Sequence, residues 1–78
     1  MSADPIIVVA AALAADPSKL TPESRLGRFP GWDSLTHVKV ILALEEAYGI
    51  AINDDTIITL TSMAAIIDHV KALTKADA

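Results

Sequence analysis

Apolar positions recur with helical spacing in three stretches of this chain. Ile6, Val9 and Leu13 fall at i, i+3 and i+7, one stripe of a helix with 3.6 residues per turn. Asp4-Pro5 opens that helix, because an Asp side chain accepts early backbone N–H groups and Pro fits the first helical position. Asp16-Pro17 is expected to close it. Val8 and Ala12 leave its other face without charge, as a small-residue surface or as a contact face. The second stretch runs from Leu35 to Tyr48, where Val40, Ile41, Leu44 and Tyr48 form one stripe. Leu35, Val38 and Leu42 form another, roughly half a turn round the axis. A helix with one buried face needs only the first. The second is either a partner surface or core packed against a neighbouring loop. Gly49 supplies the stop. In the third stretch Met63, Ile66, Ile67, Val70 and Leu73 share a face, Ser62 or Thr61 caps the helix, and Asp68, Lys71 and Lys75 point outward.

The segments between these helices are less regular. Pro17, Pro22, Gly27, Pro30 and Gly31 punctuate residues 16–33, which predicts a long ordered loop anchored by Leu20, Leu26 and Phe29. Thr21-Pro22-Glu23 is placed to begin a short helical turn. Residues 48–60 are ambiguous. Tyr48, Ile50 and Ile52 alternate, Asn53-Asp54 is placed to turn and Thr56-Ile57-Ile58-Thr59-Leu60 is mostly β-branched, so propensity favours a hairpin. A lone hairpin is marginally stable in so small a protein, and a short helix capped by Asn53 or Asp54 competes with it.

Composition narrows the fold class. Seventy-eight residues make a single domain, 1–78, near the lower limit for a self-sufficient core. Hydrophobic residues are 53% of the chain, with Phe29, Trp32 and Tyr48 its only aromatic ones. The core is therefore aliphatic, which suits helix-on-helix packing. There is no cysteine, so disulfides and thiolate ligation are excluded, in keeping with a cytoplasmic location. The net charge of −4 argues against nucleic acid, which needs clustered Lys and Arg. The uncharged run Ile6–Ala15 falls well short of the roughly 20 residues of a membrane span. No basic segment precedes it, so it reads as a core helix rather than a signal peptide.

Candidate chemistry concentrates at Gly31-Trp32-Asp33-Ser34-Leu35-Thr36. A glycine turn delivers an Asp-Ser pair to a helix N-terminus, where backbone N–H groups and the positive end of the dipole favour a phosphate. Taken alone, Ser34 is either a helix cap or a point of modification. His37, three residues on, is close enough to touch Ser34. A serine nucleophile also needs an oriented base, an oxyanion hole and a cleft, and nothing here supplies them. Metal binding lacks a ligand pattern, since His37 and His69 lie on different helices and Asp54 and Asp55 sit where caps belong. Glu45 and Glu46 belong to a solvated face near Ser34.

The stretch Gly31-Trp32-Asp33-Ser34-Leu35, followed by Leu42-Ala43-Leu44-Glu45-Glu46-Ala47-Tyr48-Gly49-Ile50, resembles the acyl carrier proteins. That family reads Asp-Ser-Leu, then an apolar helix closing in Leu-Glu-Glu-x-Phe-Gly-Ile, and Tyr48 stands at its aromatic position. Ile52 and Asp54 fall where the family begins its short third helix, and Thr61-Ser62-Met63 matches its entry to the last. The resemblance implies an all-α, four-helix bundle with a short third helix and a long loop between the first two, and no hairpin. It implies a monomeric, non-enzymatic, stand-alone carrier with 4'-phosphopantetheine on Ser34, flanked by Asp33, and docking through Leu35, Val38, Lys39, Leu42, Glu45 and Glu46. Its partners would be a phosphopantetheinyl transferase, an acyl-activating ligase or acyltransferase, and synthase enzymes of a specialised fatty acid, polyketide or related pathway. An aminoacyl or peptidyl carrier and an unmodified helical adaptor are the alternatives. Thr36 and Lys39 depart from the acidic positions common in carriers of fatty acid synthesis and point to a dedicated partner set.

Overall fold

The computed structural model describes residues 4–77, with side chains through residue 73. Four α-helices follow in order: α1 (Pro5–Leu13), α2 (Ser34–Tyr48), α3 (Asp54–Thr59) and α4 (Met63–Asp77). Among the described residues there is no strand, only an isolated antiparallel bridge between Arg25 and Ser62. The all-α expectation holds, with the third helix short.

Asp4 caps α1 by accepting the Ile6 N–H at 2.9 Å, and Pro5 occupies the first position. The helix ends at Leu13, four residues before Pro17, because Ala14 turns into the left-handed region at φ 54°. Asp16 therefore does not close α1. It caps a separate 3-10 turn at Pro17–Lys19, and its carboxyl is held below the usual carboxylate range, chiefly by the Ser18 N–H. Thr21-Pro22-Glu23 begins a further single turn, closed by the Ser24 N–H on Thr21 O at 2.9 Å. Val9, Ala10 and Leu13 are buried, while Val8 and Ala12 are half-buried and, with the exposed Ile7 and Ala11, line an open groove against α2.

The loop between α1 and α2 is stitched to the start of α4. Leu26 N–H donates to Thr61 O at 2.8 Å, and Met63 N–H donates to Ser24 O at 2.9 Å. Ala64 N–H reaches Pro22 O at 3.2 Å. These loop carbonyls satisfy early N–H groups of α4 that a helix leaves without partners. Ser62, rather than Thr61, supplies the side-chain cap, accepting from Ala65 N–H at 3.2 Å. Leu20 is buried, and Leu26 and Phe29 pack against the core as the anchors the sequence predicts.

The stretch after Gly49 is a helix and not a hairpin. Asn53 Oδ1 accepts the Thr56 N–H at 2.9 Å while Thr56 Oγ1 accepts the Asn53 N–H at 3.1 Å. This reciprocal cap opens α3, so Asn53 and not Asp54 is the capping residue. Thr56 Oγ1 also donates to Ala51 O at 2.8 Å. α4 buries Met63, Ile66 and Val70 and exposes Asp68 and Lys71, while Leu73 is partly exposed. The Lys75 side chain lies outside the described residues.

Candidate functional site

The amino end of α2 is built by a turn that commits its polar groups locally. Gly31 sits at φ 86°, a conformation that L side chains avoid. Gly27 N–H donates to Trp32 O at 2.9 Å and Trp32 N–H to Phe29 O at 3.0 Å, closing a loop around a nearly fully buried Trp32. The next residue, Asp33, is the cap: its Oδ1 accepts the Thr36 N–H at 2.9 Å. That bond is the main reason its carboxyl is held below the usual carboxylate range.

Ser34 is the first residue of α2 and is exposed. Its hydroxyl makes no hydrogen bond to any described residue. The reading of Ser34 as a helix cap is therefore overturned, since Asp33 does that work. Nor does Ser34 engage His37. The imidazole is buried, with Nδ1 accepting from Trp32 Nε1–H at 3.0 Å and Nε2 on Ile57 O at 2.9 Å. Trp32 Nε1 can only donate, so Nδ1 is bare and Nε2 carries the proton. With both ring nitrogens committed, His37 has no lone pair left for a serine proton.

The two stripes of α2 separate cleanly. Val40, Ile41 and Leu44 are buried and Tyr48 is half-buried, whereas Leu35, Val38 and Leu42 are 79%, 56% and 45% exposed. The second stripe is not core packed against the loop, because the loop docks on α4 and leaves it open. Lys39, Glu45 and Glu46 are exposed on the same side. Sequence reasoning missed a small apolar cavity between α2 and α3, about 60 Å³, lined by Val38, Ile41, Leu42, Ile52 and Ile57. It also missed the Trp32–His37–Ile57 chain of hydrogen bonds that ties α3 to this site. Among the described residues no group of His, Cys, Asp or Glu is placed to hold a metal ion. No described helix is long and apolar enough to cross a membrane.

Ser34 thus presents an exposed hydroxyl at a helix N-terminus, with the His37 ring committed elsewhere. Residues 7–70 match the family described as phosphopantetheine attachment site. The chain belongs to the acyl carrier protein family. It is 35% identical over 63 residues to the acyl carrier protein of Thermosynechococcus vestitus, covering 81% of this chain and 78% of that one. It is also similar to acyl carrier protein 2, mitochondrial, of Arabidopsis thaliana, with 38% identity over 55 residues, 70% of this chain and 44% of the relative. Members of this family are carriers rather than enzymes, and their cofactor is a covalently attached phosphopantetheine.

Proposed function

We propose that Ser34 is the attachment residue and that the chain carries an acyl group on 4'-phosphopantetheine for delivery to partner enzymes. The observation that carries this reading is the division of labour at α2, where Asp33 caps the helix and leaves the Ser34 hydroxyl exposed and unbonded. The attached group supplies a thiol that holds the cargo as a thioester, which a chain without cysteine cannot supply itself. The helix N-terminus favours the phosphodiester anion next to Ser34. Asp33, whose carboxylate is held by the Thr36 N–H, keeps the backbone there in one geometry. Leu35, Val38 and Leu42, with Lys39, Glu45 and Glu46 around them, form the docking face for a phosphopantetheinyl transferase and for ligase, acyltransferase and synthase partners.

The cavity between α2 and α3 bears on the cargo. Its walls are entirely aliphatic, and burying a charged amine there without a partner is costly. This favours a short aliphatic acyl group over an aminoacyl one, in a specialised fatty acid, polyketide or related pathway of the cytoplasm. Co-expression with a phosphopantetheinyl transferase should add the mass of one phosphopantetheine to the wild-type chain and none to Ser34→Ala. An unmodified wild type across several transferases would instead favour an unmodified helical adaptor, whose partner binding Ser34→Ala would leave intact.

A further inference from the structure

We propose that His37 sets the length of cargo that this chain shelters, by latching α3 over the cavity that it forms with α2. A short acyl chain enters with the latch closed, and a longer one must break it. The inference rests on the readings of Ser34 as the attachment residue and of that cavity as the seat of the cargo. The cavity is small, about 60 Å³. An apolar cavity of ~150 Å³ takes a benzene ring, so this one has room for about two or three carbons. Val38, Ile41 and Leu42 of α2 form one wall, and Ile52 and Ile57 form the other. The second wall belongs to α3 and the segment before it. A longer chain therefore needs α3 to move away from α2.

His37 is what resists that movement through hydrogen bonding. Thr56 is buried, but its bonds run to Ala51 and Asn53, within its own segment. Ile57 O lies in the last turn of α3, where carbonyls have no partner inside the helix. Among the described residues no backbone N–H takes it, and α3 has no basic residue in that turn. The His37 Nε2–H fills the place at 2.9 Å. Among the described residues this is the one hydrogen bond that joins α3 to another helix.

The ring is held for that task from its other side. Trp32 Nε1–H occupies Nδ1 at 3.0 Å and can only donate, which keeps the proton of the neutral imidazole on Nε2, facing Ile57 O. Trp32 also stacks on the ring, with centroids 6.1 Å apart, and its backbone is bonded to Gly27 and Phe29 in the turn before Ser34. The latch is thus anchored in that turn as well as on α2. Ile57 carries both the latched carbonyl and a side chain of the cavity wall. Widening the cavity at Ile57 draws the carbonyl away from a buried N–H. Both groups then lose their partner beside an aliphatic cavity that offers no other. That cost falls only on chains too long for the closed cavity.

The test uses a phosphopantetheinyl transferase that accepts acyl-coenzyme A donors. Wild type, His37→Leu, His37→Gln and Val9→Ala are loaded with butyryl or octanoyl cargo, and hydroxylamine cleavage of each thioester is compared with that of the free acyl-pantetheine. Leucine cannot donate to Ile57 O, whereas glutamine can. Val9→Ala loosens the core at α1 and controls for lost stability. Octanoyl protection should rise roughly two- to tenfold in His37→Leu, the span that one net hydrogen bond sets. It should stay near the wild-type value in the other two variants, and butyryl protection should be alike in all four chains. Amide exchange in the unmodified chains gives a second readout. The Ile57 and Leu60 N–H groups should exchange faster by a similar factor in His37→Leu and not in Val9→Ala. An equal change at both chain lengths, or the same profile in Val9→Ala, would make His37 a merely structural residue and overturn the proposal. So would α3 amides that exchange at the wild-type rate in His37→Leu, with the Ser34 reading left intact. Failure of every transferase to modify the wild type would remove the Ser34 reading and this inference together.

Discussion

His37 is where α2 is joined to its surroundings. Trp32 Nε1–H donates to its Nδ1 at 3.0 Å and its Nε2–H reaches Ile57 O at 2.9 Å, so one imidazole links the turn before Ser34 to α3. Trp32→Phe keeps an aromatic ring but leaves Nδ1 buried without a donor, which costs about 1–3 kcal/mol. Urea denaturation should show that loss, and a cycle with His37→Ala should give a coupling of about 0.5–3 kcal/mol. Additive single changes would mean that the bond contributes nothing. Asp33 gives a pH signature at the same scale. Its carboxyl is depressed in the folded chain by the Thr36 N–H, so its contribution is present above the unfolded value of about 3.9 and is lost as pH falls through the lower folded value. The urea midpoint of the wild type should therefore fall more steeply below about pH 4 than that of Asp33→Asn. Parallel curves would show that the charge on the cap is immaterial.

At the scale of elements, helix ends are set by residues whose backbone role outweighs their side chain. Ala14 closes α1 at φ 54°, where a Cβ costs about 1–2 kcal/mol. Glycine would relieve that strain while adding about 0.4–1 kcal/mol of unfolded-state entropy. The first effect is the larger, so Ala14→Gly should stabilise by about 0.5–1 kcal/mol, read as a raised urea midpoint; a lowered midpoint would show that the position is not strained. This stop was not legible in the sequence, because alanine signals helix continuation and Asp16-Pro17 offered a more obvious ending. α1, α2 and α4 were legible, since each spans enough turns for its 3.6-residue period to show. α3 was not settled by the residues alone. Six residues are too few for a period, and the Ile57-Ile58 pair imitates a strand. Its readable mark was Asn53 with Thr56 three residues on, a reciprocal cap with Thr in place of the usual acid. The two stripes of α2 were also visible, but which one is covered depends on the path of the loop. That path is fixed by backbone bonds such as Leu26 to Thr61, which leave no trace in side-chain pattern.

For the molecule as a whole, one buried cluster joins α1, α2 and α4 with Leu20, Trp32, Ile50 and Leu60 from the connecting segments. The radius of gyration is 11.4 Å, close to the value of about 11.5 Å for a folded chain of this length, so the long loop is packed into the body. Because that loop folds towards α4, the outer face of α2 stays open from Ser34 to Glu46. A small body with an open helix face is suited to presenting a tethered group to other proteins. The most direct test of this account is fragmentation mass spectrometry of the wild-type chain after exposure to a phosphopantetheinyl transferase and coenzyme A. The account predicts one phosphopantetheine, with its mass on the fragment that contains Ser34 and on no other. A chain modified at another residue, or one never modified, would contradict it.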